Sequence, residues 1–198
     1  MGNPVAAARV FNLREVDELV VFDISARREV RPPDFRTIAN MAEVNFVPLT
    51  VGGGINDRSD VRRLMGECGA DKVALGSGAW HLGEDIANAY GRQSVVFVCS
   101  SNHPSRAVLQ NCGELIVQSR EQDGTMTGYD LEAIRRMVDS VDCPVVASSG
   151  CGSFADMDAA LSAGADAVAA GAFWQFTKNT PLEAKRYLEE KGWPMRIL

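Results

Sequence analysis

The chain has little of what nucleic-acid, membrane or metal-binding proteins need. Its 20 Lys and Arg are outnumbered by 26 Asp and Glu, for a net charge of −6. No basic run exceeds a pair such as Arg27-Arg28 or Arg135-Arg136, so no nucleic-acid partner is expected. No apolar stretch approaches the roughly 20 residues of a membrane span. The opening Met1-Gly2-Asn3-Pro4 has neither a charged n-region nor an apolar h-region, so no signal peptide is expected. Ala6 stands where a myristoylation motif wants Ser or Thr. The five cysteines (68, 99, 112, 143 and 151) are odd in number and follow no metal-ligand spacing. They read as reduced thiols of a cytoplasmic protein, with no metal and no cofactor expected. The two histidines, His81 and His103, lack a partner carboxylate in their local motifs and read as surface residues.

What is present is one domain's worth of chain. Its 198 residues are 46% hydrophobic, with no linker or low-complexity tract, so residues 1–198 are expected to form a single domain with a full core. The second half repeats the first. Asp17-Glu18-Leu19-Val20-Val21 recurs as Gly113-Glu114-Leu115-Ile116-Val117, 96 residues on. Val47-Pro48-Leu49 with Gly52-Gly53-Gly54 recurs as Cys143-Pro144-Val145 with Ser149-Gly150-Cys151-Gly152, again 96 on. Gly69-Ala70-Asp71-Lys72-Val73-Ala74 recurs as Gly164-Ala165-Asp166-Ala167-Val168-Ala169, at 95. Three segments in one order at one period mark a duplicated unit, with halves near 17–92 and 113–187.

Continuous apolar runs at 18–24, 46–51, 71–75, 94–99, 114–119, 144–148 and 166–170 predict buried parallel strands. Helical patterns fall at 4–15, 32–44, 57–68, 83–91, 104–111, 130–140, 153–163 and 181–191. Asp57, Ser59 and Ser153 are candidate N-caps, and Gly69 and Gly164 candidate left-handed helix ends. Repeated strand–helix units with an internal duplication point to a (β/α)8 TIM-barrel fold built of two half-barrels. Only seven strands are recognisable, so the barrel is expected to lack its first. An open doubly wound sheet is the alternative, but it leaves the two matched glycine turns unexplained.

Those turns carry the chemistry. Val51-Gly52-Gly53-Gly54-Ile55 lies between a strand and a helix start, where converging backbone N–H groups and the helix dipole favour an anion. Gly76-Ser77-Gly78 follows the next strand and can complete the cradle. The second copy is Ser148-Ser149-Gly150-Cys151-Gly152, with Gly171-Ala172 after the last strand. Barrels build phosphate sites from their last two βα loops. The competing reading is that these glycines only make tight turns. Phosphate at Gly53, Gly54, Gly76 and Ser77, and at Ser149, Gly150, Gly152 and Gly171, implies a phosphorylated small molecule with two anionic ends. Cys99 and Cys143 read as core thiols, Cys151 as a small packing residue, and Phe173, Trp174 and Phe176 as core anchors.

Further motifs bring a resemblance into view. They are Asp17–Ile24, Pro48–Ile55, Gly69–Val73, Asp123-Gly124-Thr125-Met126-Thr127-Gly128-Tyr129-Asp130, and Pro144–Gly152. Together they resemble the cyclase subunit of imidazole glycerol phosphate synthase, a histidine-biosynthesis lyase with a duplicated barrel and two phosphate sites. Gly2-Asn3-Pro4-Val5 and Arg9-Val10-Phe11-Asn12 are similar to paralogues tied to surface-sugar pathways. The resemblance implies active-site aspartates at Asp23 and Asp123, each at a strand end. It also implies a general acid and base on two further aspartates. The family's first strand, which carries one of them, has no counterpart in these residues, and Ser100 stands where the other belongs. A hydroxyl with no base at hand cannot replace a carboxylate in proton transfer near neutral pH. The family's hairpin after that strand is reduced to Ser101-Asn102-His103-Pro104. Glu18, Lys72 and Glu114 match the layer that, with a strand-1 arginine, gates ammonia from a glutaminase partner; a plain ion-pair plug at the barrel bottom is the competing reading.

The expectation is thus a shortened homologue that retains phosphate or bisphosphate binding and has lost ring closure. Its rivals are a non-catalytic partner of a glutamine amidotransferase, a vestigial structural barrel, and different chemistry on a sugar-nucleotide-type substrate. With two strand edges unpaired, the chain is also expected to form a homodimer.

Overall fold

A computed structural model describes residues 2–100 and 109–197. Among the described residues seven strands are present: β1 (Leu19–Phe22), β2 (Leu49–Gly52), β3 (Lys72–Leu75), β4 (Val95–Cys99), β5 (Glu114–Gln118), β6 (Val145–Ser148) and β7 (Ala167–Val168). They follow one another in chain order. Nine α-helices are described: α1 (Pro4–Leu13), α2 (Ile24–Arg28), α3 (Phe35–Ala42), α4 (Arg58–Gly66), α5 (Gly83–Tyr90), α6 (Leu131–Val138), α7 (Phe154–Ser162), α8 (Ala172–Phe176) and α9 (Pro181–Glu190). Parallel strands alternating with helices give the α/β fold of the TIM-barrel class. All seven expected strands form. His103, the shortened hairpin and most of the helix expected at 104–111 lie outside the described residues.

The chain divides into two compact units, built mainly on Met1–Phe97 and on Glu114–Leu198. In the first, β1 pairs with β2, β2 with β3 and β3 with β4, all parallel. Every residue of β4 is buried, as a run of Val, Phe and Cys without alternation requires. In the second, β5 pairs with β6 and β6 with β7, again parallel.

The duplication extends to individual atoms. Asp71 Oδ2 accepts from Leu49 N at 2.8 Å, and Asp166 Oδ2 from Val145 N at 2.8 Å. Asp60 Oδ2 accepts from Asn56 N at 2.9 Å, and Asp156 Oδ2 from Gly152 N at 3.0 Å. Asp34 caps α3 through Thr37 N, and Asp130 caps α6 through Ala133 N. Gly69 (φ 76°) and Gly164 (φ 102°) take the left-handed conformation after α4 and α7. Each unit therefore uses the same side chains to fix the same strand ends and helix starts.

Some expectations need correction. Ser59 does not cap α4: Asp57 does, and Ser59 N and Oγ both donate to its Oδ1 at 2.7 Å. Phe173 is buried, but Phe176 is 75% exposed, because α8 ends after five residues and turns it outward.

Candidate functional site

In the first unit, Gly52 pairs with Ala74, which brings Gly53-Gly54 and Gly76-Ser77-Gly78 to neighbouring strand C-termini. Gly53 (φ 92°) and Gly54 (φ 72°) are left-handed. A Cβ on Gly54 would lie 2.5 Å from Ala26 Cβ and 3.0 Å from Arg31 O, and one on Gly53 would lie 2.9 Å from Asp23 N. Close packing under the segment from Asp23 to Arg31 therefore dictates glycine at both positions. Gly76 and Gly78 differ. A Cβ on either meets nothing within 4 Å, and neither has a positive φ. Neither packing nor backbone conformation requires them to be glycine. Ser77 between them is exposed.

The second unit repeats this arrangement with different contacts. Ala147 pairs with Val168, so Ser149-Gly150 and Gly171 stand at adjacent strand ends. A Cβ on Gly150 would lie 3.0 Å from Gln122 Cβ and closer still to the Gly128 carbonyl oxygen. Gly128 N donates to Gly150 O at 2.7 Å, which locks the 122–128 loop to the cradle. Gly152 is held against Met126 O in the same way, and its N–H already donates to Asp156. Ser149 (φ 75°) and Met126 (φ 56°) are left-handed without being glycine. Such backbone strain collects at functional loops. Gly171, like Gly76, faces open space with an ordinary φ of −118°. Under this loop Tyr129 donates to Ala169 O at 3.0 Å. Burial, with the Cys151 thiol alongside, pushes the Tyr129 hydroxyl well above its ordinary range. Burial also pushes the Cys151 thiol up to about 11 and the Cys99 thiol to about 11. All five cysteines are buried and outside any disulfide, and Cys99 and Cys151 stay protonated at neutral pH.

The candidate carboxylates stand in different surroundings. Asp123 is exposed on the turn that precedes Gly124, where Thr125 N donates to Gln122 O at 3.0 Å. Asp23 is half-buried and fully engaged. It accepts from both terminal nitrogens of Arg31, at 2.7 and 3.0 Å, and from the backbone N–H groups of Ala26 and Asp34, at 3.1 Å each. Burial pulls its carboxyl up, but Arg31 and the two N–H groups outweigh that and hold it below its ordinary value. Ser100 follows directly on β4 and is half-buried.

At the opposite strand ends of the first unit, Lys72 Nζ lies 2.8 Å from Glu18 Oε2. In the segments before β1 and β2, Leu13 (84% exposed) and Phe46 (87% exposed) present bare apolar side chains. Asn12 ties the two segments together, donating to Val44 O and accepting from Phe46 N. Glu114 opens β5 in the second unit and is half-buried.

Two residues of this region escaped sequence reasoning. Arg31, in Val-Arg-Pro-Pro-Asp, gave no signal because its partner lies eight residues back across a short helix. Tyr129 stood inside a motif already singled out, yet nothing local tied its hydroxyl to Ala169. Among the described residues no His, Cys, Asp and Glu cluster could hold a metal, and no helix is long and apolar enough to cross a membrane.

A family model described as histidine biosynthesis protein matches residues 1–103 and 102–179 of the chain. The imidazole glycerol phosphate synthase subunit HisF of Haloarcula marismortui is 35% identical over 237 residues, covering 99% of this chain and 87% of that protein. The subunits of the same name from Exiguobacterium sibiricum (36% over 218 residues; 97% and 87% covered) and Halobacterium salinarum (34% over 235 residues; 98% and 86%) are similar to it as well. These aligned spans exceed the 198 residues of the chain, so the relatives carry internal stretches that this chain lacks.

Proposed function

We propose that this chain, which belongs to the family of imidazole glycerol phosphate synthase cyclase subunits, binds a phosphorylated small molecule at its two glycine cradles and does not itself close the imidazole ring. One observation carries the binding half of this reading. Gly76, Gly78 and Gly171 have open space around them and ordinary backbone angles, at strand ends in register with the two glycine turns. A glycine that packing does not require leaves its N–H groups open to close approach by a phosphate oxygen. Each cradle offers the N–H groups of one glycine turn and one open loop: Gly53, Gly54, Gly76 and Ser77 in the first, Ser149, Gly150 and Gly171 in the second. Exposed Asp123, on the turn that follows β5, is the carboxylate best placed to meet a ligand hydroxyl. Ser100 stands where the family pattern has an acid–base aspartate, which underlies the loss of ring closure.

Titrating inorganic phosphate while following the assigned backbone amides tests the binding reading. Both sets of amides should shift, with saturation first at Gly150 and Gly171. No shift at either set would overturn it. A partner reading has one observation in its favour, the bare Leu13 and Phe46 side chains in the segments before β1 and β2. Exposed large apolar side chains suit a protein partner, here a glutaminase subunit. Co-purification with such a subunit, abolished by Phe46→Glu, is its test.

A further inference from the structure

Asp23 has the position of a catalytic carboxylate but the surroundings of a clamp. Its side chain accepts four hydrogen bonds from three places: the first turn of α2 at Ala26, the guanidinium of Arg31, and the backbone of Asp34 that starts α3. Its backbone N–H donates to Gly52 O at 2.9 Å. Asp23 and Arg31 also supply backbone atoms against which Gly53 and Gly54 pack. The carboxylate therefore holds the segment that sets the shape of the first glycine turn. Arg31 is fixed in turn by Glu29, at 2.8 Å. With its two Nη atoms on Asp23 and its Nε on Glu29, the guanidinium is occupied and is not a ready phosphate ligand.

The repeat supplies an internal comparison. The residue 96 positions after Asp23 is Ser119, which has no carboxylate. The second cradle is held instead by the Gly128–Gly150 backbone bond. The same glycine turn is thus clamped by an ion pair in one unit and by main chain in the other.

We infer that Asp23 is a positioning residue of the first phosphate cradle, acting through its bidentate pair with Arg31, and not the group that moves a proton. This rests on the phosphate-binding reading above. Among the described residues the second cradle has Ser119 where the first has the Asp23 carboxylate, so loss of the clamp is confined to the first.

The test is a titration of the full chain with inorganic phosphate, read separately at the Gly53–Gly54 and Gly150–Gly171 amides. The variants are Asp23→Asn and Arg31→Gln; the second leaves the Asp23 bonds to Ala26 and Asp34 in place. In both, affinity at the first cradle should fall about tenfold or more, as expected for losing a charge-assisted pair. Affinity at the second cradle should stay within about twofold. A general loss of structure would weaken both cradles and counts against the inference. Equal affinity at the first cradle in wild type and in Arg31→Gln overturns it, even if Asp23→Asn fails to fold. An unmodified chain whose amides ignore phosphate at both cradles defeats the binding reading itself, and this inference with it.

Discussion

Gly150 and Gly171 should respond in opposite ways to the same added methyl group. At Gly150 alanine meets two penalties. The φ of 91° is left-handed, which costs an L-residue about 1 to 2 kcal/mol. The Cβ would also press on the Gly128 carbonyl and lie 3.0 Å from Gln122 Cβ, and the backbone displacement adds about 1 to 3 kcal/mol. Gly150→Ala should therefore lose about 2 to 5 kcal/mol and lower Tm by roughly 5 to 15 °C in a chain of this size. At Gly171 neither penalty applies, since φ is −118° and nothing lies within 4 Å. There alanine should be neutral or stabilising by about 0.4 to 1 kcal/mol, because it narrows the unfolded ensemble. The same methyl fills the space where a phosphate oxygen would approach, so binding at the second cradle should drop about tenfold while the protein remains as stable as before. Urea unfolding gives the first quantity and phosphate titration at the Gly150 amide the second. A stable Gly150→Ala variant, or a Gly171→Ala variant losing more than about 1.5 kcal/mol, would refute the packing argument; unchanged binding in Gly171→Ala would refute the cradle argument.

Acid should unpick the Asp23 clamp. Its carboxyl is held below the ordinary 3.8, so its stabilisation is fully present above that value and is lost as pH falls through the lowered one. Urea midpoints between pH of about 5 and about 2 should fall more steeply in wild type than in Asp23→Asn; parallel curves would contradict this. With their thiols pushed up to about 11, Cys99 and Cys151 should resist iodoacetamide at neutral pH in the folded chain, and rapid modification of either would show that the burial argument is wrong. The chain should self-associate, since β1 leaves Phe22 39% exposed and β7 offers an exposed Ala167 at the ends of the strand order. Light scattering that returns a 21.4 kDa monomer at micromolar concentration would contradict that expectation.

Much of the fold was legible because its signals are local and repeated. Runs such as Val95–Cys99 can be buried on both sides only as inner parallel strands, and all seven strands fall on the stretches so marked, with β2 running one residue past its stretch to Gly52. Asp57 and Ser153 announced α4 and α7 through cap chemistry that acts within three residues. Helix α2 was missed because its five residues, Ile-Ser-Ala-Arg-Arg, are too few for a period to show; tertiary bonds from Asp23 hold it. The roles within the glycine turns were equally hidden. Sequence showed Gly53, Gly54, Gly76, Gly150, Gly152 and Gly171 as one class. Only packing separates those that touch a neighbouring carbonyl or methyl from those that face open space. Phe176 was misplaced for a related reason, since an aromatic cluster gives no sign of where a short helix stops.

The central claim is a cradle that still binds without the carboxylate that closes the ring. Incubating the chain alone with the family's substrate and ammonium, while measuring both substrate binding and product formation in one sample, tests it most directly. Binding without detectable turnover is the predicted result, because the acid–base carboxylate replaced by Ser100 typically contributes about 10² to 10⁴ in rate. Robust turnover by the unmodified chain would contradict the account.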